Sequence, residues 1–323
     1  MTKYKKVIIV VVALVCLVSG LVIGIYIGKF KDIPFMKRIG EWSIGIYTGK
    51  DPFNLVSPDN ISNPVLTAKD ITDISAVFVA DPFMIKEDSM WYMFFETMNT
   101  LTNQGDIGLA VSNDALNWNY KQIVLDEPFH LSYPYVFKWK HEYYMIPESH
   151  ESYSIRLYKA VDFPAQWSFV GVLLYGDYSD SSVFRYDSKW WMFTTDRNDI
   201  LRLYYAVNLI GLWIEHPESP IIRGNANIAR PGGRVLVFDG RIVRYTQDDY
   251  PTYGNQVRAF EITKLTTTSY KEKRISENPI LKASEHGWNK DGMHHIDAHQ
   301  IEENKWIACS DGLRLTLAFG LEY

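Results

Sequence analysis

Short runs of apolar and aromatic residues, broken by brief charged turns, recur along most of the chain. Ala80-Asp81-Pro82-Phe83-Met84-Ile85 and Met90-Trp91-Tyr92-Met93-Phe94-Phe95-Glu96 flank a polar turn, the pattern of a β-hairpin. The pattern returns four times. Tyr133-Pro134-Tyr135-Val136-Phe137 leads into Tyr143-Tyr144-Met145-Ile146-Pro147-Glu148, and Asp180-Ser181-Ser182-Val183-Phe184 into Trp190-Trp191-Met192-Phe193. Arg230-Pro231-Gly232-Gly233 opens the next unit, and His295-Ile296-Asp297-Ala298-His299 the last. The first four starts recur at about 50 residues, the period of a propeller whose blades are small meanders. The fifth comes later because residues 263–291 hold an extended polar connection. Five units predict an all-β, five-bladed β-propeller. Third strands are expected at 108–112, 155–160 and 203–207, each followed by a tryptophan (Trp118, Trp167, Trp213) that suits blade packing. Residues 41–47 or 65–67 are expected to pair with 313–321 and close the ring, which would remove an exposed edge.

The amino end follows a different pattern. Residues 7–27 carry no charge and follow Lys3, Lys5 and Lys6. At 1.5 Å per residue such a run is long enough for a bilayer core of about 30 Å. It is long for the apolar part of a signal peptide, and no small-x-small cleavage site follows it cleanly. The prediction is a cytoplasmic tail (1–6), a transmembrane signal anchor (7–27), a linker (28–40) and a propeller (41–323), giving a single-pass membrane protein with the propeller extracytoplasmic. Lys29, Lys31, Lys37 and Arg38 follow the run, so the positive-inside count separates the two sides poorly. Gly20, Gly24 and Gly28 form a small-xxx-small face that can bring two helices together as a homodimer. Cys16 and Cys309 lie in separate regions, so no internal disulfide is expected.

Composition narrows the chemistry. Aromatic residues make up 15% of the chain, in keeping with blades that stack through large side chains, and a net charge of −5 argues against nucleic acid as partner. No phosphate loop, Cys-x-x-Cys pair or Gly-x-Ser-x-Gly elbow occurs, and no cofactor is expected. In a propeller the inner-strand starts and the second-strand ends meet at one mouth of the channel. That geometry gathers Asp81, Tyr133, Asp180, Arg230, His295 and Asp297 with Glu96, Glu148, Asp196, Asp248 and Asp311, as a polar ligand site requires. Asp196, Asp248 and Asp311 also suit turn positions. Glycoside hydrolysis needs two carboxyl groups, one protonated and one ionised; Asp81 with Glu148 or Asp180 can supply them. Glu96, Tyr133, Arg230, His295 and Asp297 are the expected substrate contacts. His295, Asp297 and His299 share a strand face but lack a third-ligand motif, so no metal site is assigned.

Trp42-Ser43-Ile44-Gly45-Ile46-Tyr47, Ala80-Asp81-Pro82-Phe83-Met84, Met93-Phe94-Phe95-Glu96, Met145-Ile146-Pro147-Glu148-Ser149, Arg230-Pro231-Gly232-Gly233 and Met293-His294-His295-Ile296-Asp297-Ala298 together resemble the amino-terminal domain of plant glucosamine inositolphosphorylceramide transferase, over about residues 41–316. The resemblance implies a five-bladed propeller akin to glycoside hydrolase families 43 and 32. In the plant enzyme the transferase chemistry is associated with a separate carboxy-terminal domain, so that activity does not transfer. Family 43 enzymes place Asp, Asp and Glu at successive inner-strand starts, the first as general base. Asp81 matches the first; Tyr133 and Asp180 depart from the second and third, which leaves Glu148 or Glu96 as the acid. Two readings follow: a membrane-anchored, extracytoplasmic glycosidase-like enzyme acting on a glycan or glycoconjugate, or a non-catalytic glycan-binding or scaffold propeller in surface polysaccharide or glycolipid assembly.

Overall fold

Alternating aromatic and β-branched runs separated by two- to seven-residue turns fold as antiparallel meanders of four strands. The computed structural model describes residues 3–30 and 36–319. The first blade is Ala76–Glu87, Met90–Asn99, Gly105–Ser112 and Asn119–Leu125, paired in that order. The second is Ser132–Trp139, Glu142–Glu148, Ser154–Asp162 and Gln166–Tyr175. The third is Tyr178–Tyr186, Lys189–Asp196, Ile200–Ala206 and Ile214–Glu215. The fourth is Leu236–Phe238, Arg241–Asp248, Gln256–Leu265 and Tyr270–Arg274, with Leu281–Lys282 also paired to its third strand. The fifth joins both ends of the chain, in the order Ile296–Glu302, Lys305–Phe319, Met36–Gly49 and Leu55–Val56. The predicted five-bladed propeller is therefore present. Residues 65–66 contribute to the closure too, since Ile44 and Leu66 exchange backbone hydrogen bonds at 2.9 and 3.2 Å.

Large side chains fill the spaces between blades. Phe83, Phe94, Tyr135, Met145 and Trp190 belong to one buried cluster, and a side chain of this size contributes about 1.5–3 kcal/mol when fully buried. The expected packing tryptophans sit in or against these clusters. Trp118, Trp167 and Trp213 each donate the indole N–H to a carbonyl three or four residues earlier.

The chain forms two units, Met1–Glu41 with Leu315–Tyr323, and Trp42–Arg314. The smaller contains the helix Lys3–Phe30 and the outer ends of two strands, where Thr316 donates to the Ile39 carbonyl at 3.4 Å. Among the described residues, no helix is long and apolar enough to cross a membrane. The predicted transmembrane signal anchor is thus not supported. The membrane attachment, the single-pass extracytoplasmic topology and the helix pairing through Gly20, Gly24 and Gly28 rested on it and fall with it. Within the expected linker, residues 36–40 belong to a strand and 31–35 lie outside the described residues.

The inner strands share one irregularity, and it positions the site. Asp81, Tyr133 and Asp180 all lie in the left-handed region, with φ of 50°, 45° and 50°. Each sits at a break in register with the second strand of its blade, the mark of a β-bulge. Gly233 (φ 142°) takes this part in the fourth blade, where a Cβ would stand 1.7 Å from the Ile296 carbonyl oxygen, so no other residue fits.

Candidate active site

The bulges turn three backbone N–H groups toward carboxylates of the preceding blade. Asp81 N donates to Asp311 Oδ2 (3.0 Å), Tyr133 N to Asp81 Oδ2 (3.3 Å) and Asp180 N to Glu148 Oε2 (3.1 Å). Main-chain bonds thereby string acidic side chains around one mouth. Glu96, Glu148 and Thr195 face Ala80, Ser132 and Ser179, the residues that precede the left-handed ones. Gln247, whose N–H donates to the Arg230 carbonyl, and Asp311, whose carboxylate accepts the His295 N–H, fill the corresponding places in the last two blades. The expected Asp196 and Asp248 stand one residue later, on the opposite strand face. Asp248 is spent on Asn227, Gln256 and Arg258, and Asp196 pairs with Arg202 at the rim.

Asp81 is an under-satisfied carboxyl of the ring, as is Asp180, whose Oδ1 is likewise buried without a hydrogen-bond partner. In Asp81, Oδ2 accepts only the Tyr133 N–H, and Oδ1 is buried without a hydrogen-bond partner. Burial pushes the Asp81 pKa up to about 6, against the pull of His294. His294 Nδ1 lies 2.8 Å from Asp311 Oδ2, and the ring stacks on Trp42 at 4.2 Å with the edge of Tyr253 nearby. Burial disfavours its charge, but Asp311 and Asp81 outweigh burial and raise it to about 9. Asp311, which also accepts the N–H groups of His294 and His295 (both 3.1 Å), is held below the usual carboxylate range by His294 despite its burial.

Glu148 is the electrostatic opposite of Asp81. Burial opposes its ionisation, yet the His150 bond (2.8 Å), the Arg230 charge and the Asp180 side chain together hold its carboxyl well below the ordinary range. Asp180 lies deeper and clamps Arg230. Its Oδ2 accepts Arg230 Nε and Gln247 Nε2, both at 2.5 Å. Arg230 reaches Glu148 at 3.5 Å and lies over the Tyr253 ring at 5.4 Å. A cavity of about 570 Å³ opens here, lined by Glu148, His150, Arg230, Asp249 and Tyr253 among others. Glu96, nearby, is pushed well above its usual range by burial; His130 Nε2 lies 3.5 Å away, its other nitrogen accepting the Gly105 N–H.

The structure thus brings Asp81, Glu96, Glu148, Asp180 and Arg230 to one mouth. Two expected contacts face inward. Tyr133 is fully buried, its hydroxyl accepting the Gly233 N–H (2.7 Å) and bonded to Ser182 (2.7 Å). His295 is fully buried beside Asp81. Asp297 belongs elsewhere in the channel, where Arg234, His299 and the Met84 N–H use both its oxygens. Among the described residues, Asp81, His294 and Asp311 offer ligand atoms within 4.8 Å of one another, but the His294–Asp311 pair already engages two of those groups. Sequence reasoning passed over His294, Gln247, His150, Tyr253 and Trp42 as site residues. His294 and Trp42 lay inside noticed motifs; nothing marked Tyr253, which sits on the turn after Arg241–Asp248 in the blade that carries Arg230.

The model of the family described as "Glucosamine inositolphosphorylceramide transferase 1, N-terminal" matches residues 36–313. The chain belongs to this family. Glucosamine inositolphosphorylceramide transferase 1 of Oryza sativa subsp. japonica is 37% identical over 330 residues, covering 93% of this chain and 44% of the relative; that of Arabidopsis thaliana is 35% identical over 303 residues, covering 86% and 39%. The chain therefore spans less than half the length of these transferases. Among solved structures, the catalytic domain of a Coprinopsis cinerea GH62 α-L-arabinofuranosidase superposes with a TM-score of 0.56 at 13% identity, covering 86% of this chain and 98% of that one. A Podospora anserina α-L-arabinofuranosidase gives 0.53 at 10% identity, covering 85% and 96%. These likenesses establish the propeller fold for this member of the transferase amino-terminal family.

Proposed function

We propose that this propeller is a glycosidase-like enzyme acting on a glycan or glycoconjugate, with Asp81 as proton donor and Glu148 as the ionised partner. The observation that supports it is the divergence of two buried carboxyl groups at one mouth: Asp81 raised toward neutrality, Glu148 held strongly ionised. Glycoside hydrolysis requires such a pair. This assignment reverses the roles expected from the inner-strand comparison, where Asp81 is the base. Asp180 and Gln247 would hold Arg230 against Glu148, and Tyr253 would offer a sugar-stacking ring at the cavity.

One observation favours a binding module instead. Tyr133, at the second inner-strand start, is locked by Gly233 and Ser182 and offers nothing to a substrate. The test incubates the full chain with an array of aryl glycosides and surface polysaccharides, beside Asp81→Asn and Glu148→Gln. An acid at Asp81 predicts that Asp81→Asn loses most turnover on poor leaving groups and little on good ones, with Glu148→Gln impaired on both. Glycan binding without any release of reducing sugar decides for the module.

A further inference from the structure

We infer that His294 and His295, adjacent in the chain, form an asymmetric donor–acceptor pair that lets Oδ1 of Asp81 both surrender and recover a proton; the inference rests on Asp81 being the acid–base group proposed above. Oδ1 is the oxygen that the fold leaves unspent, and two ring nitrogens flank it: His295 Nδ1 at 3.7 Å and His294 Nε2 at 3.8 Å.

The two rings differ in protonation for reasons visible in their other contacts. His295 Nε2 lies 2.9 Å from the Pro82 carbonyl oxygen. A carbonyl only accepts, so Nε2 carries the hydrogen. The ring is fully buried, which pushes it down to about 4 and leaves it neutral with a bare Nδ1. That lone pair has no partner and faces Oδ1, so a hydrogen bond between them needs the proton on Asp81. His294 is turned the other way. Its Nδ1 lies at ion-pair distance from Asp311 without an aligned hydrogen bond, and Asp311 and Asp81 together favour the charged ring, whose Nε2 faces Oδ1 and so favours ionised Asp81. Both gaps exceed a direct hydrogen bond, so a small swing of the carboxyl selects one partner or the other.

The remaining charged groups around this cluster are Arg230, which favours ionised Asp81, and Glu148, Glu96, Asp311 and Asp249, which oppose it or support His294. Trp42 and the edge of Tyr253 cover His294 with aromatic surface. In the proposed reaction Asp81 gives its proton to the leaving oxygen and its new carboxylate turns to His294. The proton that Glu148 takes from the attacking water leaves to solvent. An equal one returns to Asp81, which turns back to His295.

The experiment titrates the full chain labelled with carboxyl-13C aspartate, the Asp81 signal being assigned by its loss in Asp81→Asn. Replacing the donor, His294→Gln, is expected to raise the Asp81 midpoint by about one pH unit, tenfold in proton affinity; replacing the acceptor, His295→Leu, is expected to lower it. A purely structural role does not give opposite signs. Shifts in the same direction, or none, overturn the inference. If either variant fails to fold, the decision passes to ring-nitrogen spectra of the parent and Asp81→Asn. His295 should hold its hydrogen on Nε2, and the His294 midpoint should fall when Asp81 is neutralised. A proton on His295 Nδ1, or an unmoved His294, overturns it. None of these readouts needs turnover, so failure to hydrolyse any glycoside breaks only the functional reading.

Discussion

Two buried carboxylate–histidine clusters share the channel, and they are built to opposite rules. Asp297 has no unspent oxygen. Oδ1 accepts Arg234 Nε at 2.7 Å, and Oδ2 accepts the Met84 N–H at 2.6 Å and His299 Nε2 at 2.9 Å. Arg234 also reaches the Met84 and Val136 carbonyls, tying the inner strands of the first and second blades to this carboxylate. Burial opposes the charge, but Arg234 and His299 hold Asp297 well below the ordinary carboxylate range. Asp81 has one backbone donor, an orphan oxygen and a raised pKa. A saturated carboxylate fastens the fold, whereas an unsaturated one held in place by its neighbours retains capacity for a ligand or a proton.

The comparison can be broken at several points. The largest effect is expected at Asp81→Asn, which is nearly isosteric. Turnover on aryl glycosides with poor leaving groups should fall by about 10²- to 10⁴-fold in steady-state assays, while the circular dichroism spectrum stays unchanged. Asp297→Asn should do the reverse. Leaving Arg234 buried without its partner should cost about 3–5 kcal/mol in denaturant unfolding, against under about 1 kcal/mol for Asp81→Asn. Equal losses of stability would erase the distinction between the clusters.

Glu148→Gln should lower kcat/KM by at least about tenfold at every pH assayed, because a carboxyl held so far down is ionised throughout that range and the variant has no ionised group. An unchanged kcat/KM would assign the base to another group. The smallest effect concerns His294. Its folded pKa of about 9 lies above the ordinary 6.5, so its stabilisation is complete below pH 6.5 and lost as pH rises through 9. Melting temperature should therefore decline by about 5 °C across that window, and His294→Gln should flatten the decline. An equal slope in the variant would place the titration elsewhere.

Much of the fold was legible because the blade repeat is written in large aromatic side chains at a fixed period. The mouth was legible in part, since the inner-strand starts follow the same period. Asp196 and Asp248 were placed one residue out because the carboxylates were taken as the strand ends, whereas the register puts Thr195 and Gln247 at the mouth. The bond from the Asp81 N–H to Asp311 depends on Lys305–Phe319 packing beside the first blade, a contact between distant segments. No local pattern distinguishes Asp297, saturated by Arg234, from Asp81. Both are single aspartates at inner-strand starts, and only their neighbours in space separate them. The amino-terminal anchor was read from hydropathy alone, and among the described residues no helix is long and apolar enough to cross a membrane.

The repeated left-handed residue divides labour between main chain and side chain. At Asp81, Tyr133 and Asp180 the backbone N–H makes the joint to the preceding blade, so each joint is indifferent to the side chain on the donor residue and rests on the acceptor carboxylate of Asp311, Asp81 or Glu148. Tyr133 and Asp180 are sockets whose wiring is independent of their own fitting, whereas Asp81 also serves as acceptor for the next joint. Tyrosine can replace a carboxylate at the second socket and seal the channel while its neighbours keep their acidic groups. One scaffold can thus be refitted a position at a time, passing between cleaving a glycan and merely holding one without redesign of the ring.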